Sequence, residues 1–125
     1  MVVVQRADRY LMIQRGPDVI VPGAWCFVGG AIEPGESQEQ AIVREFLEEV
    51  GGRVRPICRV WEYVRPDGHL RLFWWRADLL DGDELRPNPA EVAEIRWCTP
   101  AEIHRLPNVL ESNREFLRTL GHDAP

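Results

Sequence analysis

The stretch Gly30–Gly51, GAIEPGESQEQAIVREFLEEVG, decides how this chain is read. Ser37 with Gln40 three residues later is a capping box, and Gly51-Gly52 is a stop signal just past a C-cap. The spacing therefore predicts a helix between Ser37 and Gly51. Successive helical residues advance by about 100°. On that wheel Ile42, Val43, Phe46, Leu47 and Val50 fill one arc, and Arg44, Glu45, Glu48 and Glu49 fill the opposite one. The helix is expected to bury the first face and present carboxylates on the second. Glu45 stands i,i+3 from Glu48 and i,i+4 from Glu49. Like charges at these spacings destabilise a helix by roughly 0.2–0.5 kcal/mol per pair, and acidic residues near a C-terminus also oppose the helix dipole. Two local rules broken at one place mark a functional site. A cluster of hard oxygen ligands suits Mg²⁺ or Mn²⁺, which keep water and take phosphate oxygens as further ligands. The competing reading is a solvated acidic face paired with Arg44.

Working outward, Val2–Val4 and Tyr10–Gln14 read as short strands joined by an Ala7-Asp8-Arg9 turn. Gly16–Gly23 is a loop, and Trp25–Val28 is a strand running into Gly29-Gly30. Past the helix, Val54–Val64 and Leu70–Leu79 are longer strands around a Pro66-Asp67-Gly68 hairpin turn. Asp81–Pro89 is a polar loop and Val92–Cys98 another strand. Thr99-Pro100-Ala101-Glu102 is a second capping box that opens a short helix. Glu111–Leu120 is the last helix, with Phe116, Leu117 and Leu120 as its apolar stripe. This is a mixed α/β pattern. Its 125 residues suit one domain, 1–125, with a loose tail at 121–125.

The net charge of −5 argues against a general binder of nucleic-acid polymers, which needs a basic stripe. Neither a signal-peptide pattern at the start nor an apolar run of about 20 residues is found. Cys26, Cys58 and Cys98 lack metal or disulfide spacing and are expected to be buried, reduced thiols, as in a cytoplasmic protein.

Gly30, Glu36, Arg44, Glu45, Phe46, Glu48, Glu49 and Gly51 reproduce the Nudix box, Gx5Ex7REUxEExGU with U bulky and apolar. Gly52 stands where the last U is expected. Trp25 followed by Phe27-Val28-Gly29-Gly30 resembles the family's Trp-x-x-Pro-Gly-Gly, with Val28 in place of Pro. The chain thus resembles the Nudix hydrolases, and MutT-type members in particular. The resemblance implies an α/β/α sandwich around a mixed β-sheet. It also implies metal-dependent cleavage of a pyrophosphate bond in a small nucleotide, by a monomer or homodimer with no membrane partner. Mg²⁺, with Mn²⁺ as a substitute, is the implied cofactor. Glu48 and Glu49 look like metal ligands, Glu45 like a ligand or the base that deprotonates water, and Arg44 like the residue that orients Glu45. Glu36 looks like a loop support and a further metal contact, and the Gly29 carbonyl like a member of the metal shell.

Outside the box, Arg15 sits twelve positions before Phe27, a spacing similar to that of a phosphate-contacting Arg in MutT-type members. Glu91, six positions before Trp97, resembles their additional loop Glu, with Glu94 as its competitor. Leu110 falls where a base-reading Asn is expected, with Asn108 and Asn113 nearby. Of the hairpin aromatics Trp61, Tyr63, Phe73, Trp74 and Trp75, most are expected in the core, with one free to stack on a base. Two alternatives stand beside the hydrolase. One is a non-catalytic nucleotide sensor, which has no need of all three glutamates. The other is an isoprenyl-diphosphate isomerase, which expects a catalytic Cys near the box and finds Cys26.

Overall fold

Every residue from Tyr10 to Ile13 is buried, because strand β3 (Arg9–Arg15) runs between two packed layers. The structure is a computed structural model that describes residues 1–80 and 84–121. The expected tail beyond Gly121 and the first part of the Asp81–Pro89 loop lie outside the described residues. Side chains alternate along a strand. Leu11 and Ile13 therefore join one core, with Val28, Ile42, Phe46, Val50, Val54 and Ala77. Tyr10 and Met12 join the other, with Phe27, Trp74, Ile103, Phe116 and Leu117. The first core lies under helix α1 (Gln38–Val50). The second lies under α2 (Pro100–Arg105) and α3 (Glu111–Thr119). The result is the α/β/α sandwich.

Two sheets form the middle layer. In one, β3 pairs antiparallel with β2 (Gln5–Arg6), β4 (Trp25–Cys26) and β7 (Val92–Cys98). In the other the order is β1 (Val2–Val3), β6 (Arg71–Leu79), β5 (Val54–Val64). There β1 runs parallel to β6, and β6 antiparallel to β5, so the strand directions are mixed as expected. Val2 also bridges Val28, and the chain from β1 to β2 thereby ties the two sheets together. The hairpin at Pro66-Asp67-Gly68 forms, with Gly68 in the left-handed region at φ 75°. Both capping boxes are present, at Ser37 and Thr99, and Gly51 closes α1 at φ 70°.

Several expectations need correction. The buried face of α1 comprises Ala41, Ile42, Phe46, Glu49 and Val50, whereas Val43 and Leu47 are 38% and 52% exposed. The helix is rotated toward its carboxylate face, because the site draws Glu49 inward. Leu120 is exposed and caps α3 rather than completing its stripe, which is narrowed to Phe116 and Leu117. Gln5–Arg6 forms an extra strand that turns back on Arg9–Tyr10. The strand at Trp25 stops at Cys26, because the Phe27 N–H is claimed by the Asn113 side chain at 2.9 Å. Cys58 is exposed, unlike Cys26 and Cys98. It lies on β5, at the sheet edge, in a run open to solvent.

The structure accounts for Gly52. A Cβ there would meet Leu85 Cδ2 at 2.5 Å and Phe46 Cε1 at 2.7 Å. Leu85 thus fills the space that a bulky side chain at 52 would take. Overpacking of this kind costs about 1–3 kcal/mol. Gly52→Leu is expected to lower stability within that range, and Leu85→Ala in the same chain to recover part of it. Chemical denaturation of the single and double variants checks this, and additive losses would refute it.

Candidate active site

The site is built where β4 runs out into Gly29-Gly30 and meets the second half of α1. The Gly29 N–H donates to Glu49 Oε2 at 3.0 Å. At Gly30 a Cβ would lie 2.5 Å from Glu45 Oε1, so any larger residue would push the Glu45 carboxylate from its place.

Arg44 organises the acidic face. Its Nε and Nη2 donate as a fork to Glu36 Oε2 and Oε1, at 2.7 and 2.9 Å. Nη1 donates to Glu45 Oε1 at 2.8 Å and to Glu48 Oε2 at 3.1 Å. Nη2 also reaches the Ala31 carbonyl at 2.9 Å, and Glu33 lies 3.6 Å from Nη1. The fork, joined by the Glu33 N–H, holds the Glu36 carboxyl down at about 2. Both Glu36 oxygens are thereby taken up by Arg44, an arrangement suited to supporting the loop.

Glu45 and Glu49 behave in the opposite way. Glu49 is only 6% exposed. Burial first, then repulsion from Glu45, push it up to about 8, against the opposing pull of the Gly29 N–H. Burial also raises Glu45, despite its bond to Arg44. Among the described residues no three His, Cys, Asp or Glu groups converge on one point as they stand. Arg44 holds Glu45 and Glu48 toward itself, and Glu49 is turned to Gly29.

These shifts have a consequence for stability. The folded protein keeps a proton on Glu49 that the unfolded chain releases near pH 4.3. The stability this confers is full below that pH and is lost as pH rises through about 8. Without added metal, the melting temperature is expected to fall across this window, and Glu49→Gln to flatten the fall. Melts at a series of pH values check it. An equally steep fall in the variant would assign the effect to another group.

Arg15, at the end of β3, faces the site. Its charge acts on both Glu49 and Cys26, and its Nε donates to the Ile20 carbonyl. Glu91 lies near enough for its charge to add to the repulsion on Glu45 and Glu49. Its competitor Glu94 is instead tied to Arg96 at 2.9 Å. Cys26 is buried and its thiol is pushed up to about 11 by that burial, so it is not a reactive nucleophile.

A cleft of about 810 Å³ opens from Gly29, Gly30 and Glu45. Arg15, Ile20, Val21, Tyr63, Phe73 and Leu110 also line it. Trp74 is core, stacked on Phe116 with ring centroids 4.6 Å apart. Trp75 Nε1 bonds Gln38 at 2.8 Å and anchors the start of α1 to β6. The Asn108 backbone carbonyl accepts from the Trp25 N–H, in a left-handed backbone at φ 57°. Asn113 is fully buried, with its Oδ1 held by Phe27. Asn108 does not line the cleft, and the Asn113 amide is taken up by Phe27 and Ser112. The role of Asn113 as a clip between α3 and the strand leading to Gly29 had no signal in the sequence, because its partner is 86 residues away.

Comparisons with known proteins agree with this geometry. The family model described as NUDIX domain matches residues 1–120. The chain is 32% identical over 110 residues to the NAD-capped RNA hydrolase NudC of Deinococcus radiodurans, covering 88% of this chain and 39% of that protein. It is 31% identical over 116 residues to a putative 8-oxo-dGTP diphosphatase of Bacillus subtilis, covering 91% and 71%. The chain thus spans about two-fifths of the NudC length. Among solved structures, a MutT protein from Methanosarcina mazei Go1 superposes with a TM-score of 0.80 at 18% identity, covering 96% of this chain and 88% of that one. That likeness concerns the fold.

Proposed function

This chain belongs to the Nudix family, and from that premise we propose that it is a hydrolase that cleaves a pyrophosphate bond in a nucleotide by attack of water at phosphorus. The observation that carries the reading is the Arg44 hub. It orders Glu36, Glu45 and Glu48 beside a buried Glu49 that touches the Gly29 backbone. A solvated acidic face needs no such hub.

A divalent cation fits this donor set. The groups are all oxygen, and two carboxylates are held above their ordinary range by burial and mutual repulsion, which a cation relieves. Glu45, Glu48, Glu49 and the Gly29 carbonyl would hold it, with Mg²⁺ as the first choice and Mn²⁺ as a substitute. When bound, it supplies charge neutralisation for the pyrophosphate and acidity for water. The chain's own residues do the rest. Glu45, raised by burial and steered by Arg44, is suited to take the proton of the attacking water, with Glu91 as the alternative base facing the same place. Arg15 would meet a phosphate oxygen at the cleft entrance.

A small nucleotide is favoured over a polymer by the chain's charge of −5. A second reading, the capped end of an RNA, is favoured by relatives named NAD-capped RNA hydrolase. The retained glutamates argue against a sensor, and the buried, high-pKa Cys26 argues against an isoprenyl-diphosphate isomerase. The test is incubation with nucleoside triphosphates, nucleotide sugars, ADP-ribose, dinucleoside polyphosphates, NADH and NAD-capped RNA, with Mg²⁺ or Mn²⁺. Product analysis in isotopically labelled water then locates the broken bond. Cleavage of a diphosphate bridge, stopped by chelator, is expected. Intact nucleotides together with a rearranged isoprenyl diphosphate would overturn the proposal.

A further inference from the structure

Past Arg15 the chain forms a loop, residues 16–23, whose tip holds Ile20 81% and Val21 50% exposed. Both side chains line the cleft. Val21 has φ 53°, a backbone conformation rarely taken by a β-branched residue. The loop is nevertheless tied down. Arg15 Nε donates to the Ile20 carbonyl, the Ala24 N–H to the Val21 carbonyl at 3.3 Å, and the Gly23 N–H to the Arg15 carbonyl at 2.9 Å. Strain and two aliphatic side chains held in water are not compensated within the fold, and such features collect at ligand clamps.

The same cleft carries the rings of Tyr63 and Phe73, beside Leu70 and Leu72. The arginines around these rings are engaged: Arg65 with Asp67 at 2.8 Å, Arg71 with Glu62 at 3.0 Å, and Arg59 over the Phe73 ring at 5.7 Å from its centroid. Tyr63, Phe73, Leu70 and Leu72 thus give the cleft an apolar lining whose neighbouring arginines are already engaged, while Arg15 and Glu45 bring charge to the same cleft. This suits an uncharged flat ring better than another phosphate. We propose that Ile20 and Val21 are specificity residues that grip the uncharged ring of the substrate, together with Tyr63 and Phe73, while its phosphates lie toward Arg15 and Glu45. The placement of the phosphates rests on the hydrolase reading above. Through the Arg15–Ile20 bond, the group that meets phosphate also sets the position of the grip.

The test compares the wild-type protein with Ile20→Ser/Val21→Asn, in which Asn suits the left-handed backbone and keeps the loop's shape. Each is titrated calorimetrically, in Mg²⁺, with the α,β-methylene analogues of ATP and GTP and with inorganic tripolyphosphate, which has no ring. The variant is expected to bind at least one methylene nucleotide about tenfold more weakly and tripolyphosphate within about twofold of the wild type, as loss of apolar contact alone would give. Parallel weakening of both ligands, or no change in either, overturns the proposal. So does a wild type that binds neither nucleotide more tightly than tripolyphosphate. Turnover is read separately. A wild type that prefers the nucleotide yet cleaves none of the screened compounds overturns the hydrolase reading and leaves the grip standing.

Discussion

Glu49→Gln is expected to lower kcat by roughly a hundredfold to a thousandfold, the range found when one preorganised group is taken from a site that stabilises developing charge. Gln keeps the size of Glu and an oxygen to accept the Gly29 N–H, now 3.0 Å from Glu49 Oε2. The backbone at the site should therefore stay in place. What is lost is a carboxylate 6% exposed and held up to about 8 by burial and by Glu45. In the folded protein that group is ready to lose its proton to a cation and gains little from water. The variant should melt no lower than the wild type at neutral pH, because folding holds Glu49 largely protonated there and Gln, already neutral, is spared the cost of taking up that proton. Steady-state kinetics with a melt of the same sample check both halves. Turnover within tenfold of wild type, in a folded variant, would remove Glu49 from the proposed chemistry.

Arg44→Met is expected to lower kcat by about a hundredfold, the upper range for loss of a group that orients ligands. Met keeps the apolar stem and discards the fork. Glu36 then loses both of its contacts to Arg44, Glu45 and Glu48 lose theirs, and the Ala31 carbonyl loses its donor. Glu45 is left to the repulsion of Glu48 and Glu91 without the cation beside it. Unlike Glu49→Gln, this change should also lower the melting temperature, since the loop 31–36 is tied to α1 through Arg44. Arg44→Lys should recover the charge but not the fork, and so only part of the activity. Full activity in the Lys variant would show that charge alone matters at this position.

The contrast between these two variants reflects what could be read before folding. The order of elements, both capping boxes, the hairpin at Pro66–Gly68 and the glycine stop at Gly51 were all legible in the sequence. Each rests on contacts within a few residues, so local spacing carries it. The candidate site residues were picked out for the same reason. Gly30, Glu36, Arg44, Glu45, Glu48 and Glu49 lie within one turn-and-helix unit, and their spacing places them on one face.

Contacts between distant segments were not legible. The wheel placed Val43 and Leu47 inside and Glu49 outside, yet Glu49 is buried and Leu47 is not. A wheel gives angles around the helix axis, and only packing against Gly29 and the sheets fixes how the helix is turned. Leu85 filling the space over Gly52 and Asn113 clipping Phe27 both join segments far apart in the chain. The sequence by itself determined which carboxylates stand together. Only the tertiary structure decided which of them is buried, which is bound to Arg44, and where the cleft leads, because burial and long-range electrostatics arise when separate segments exclude water from one another.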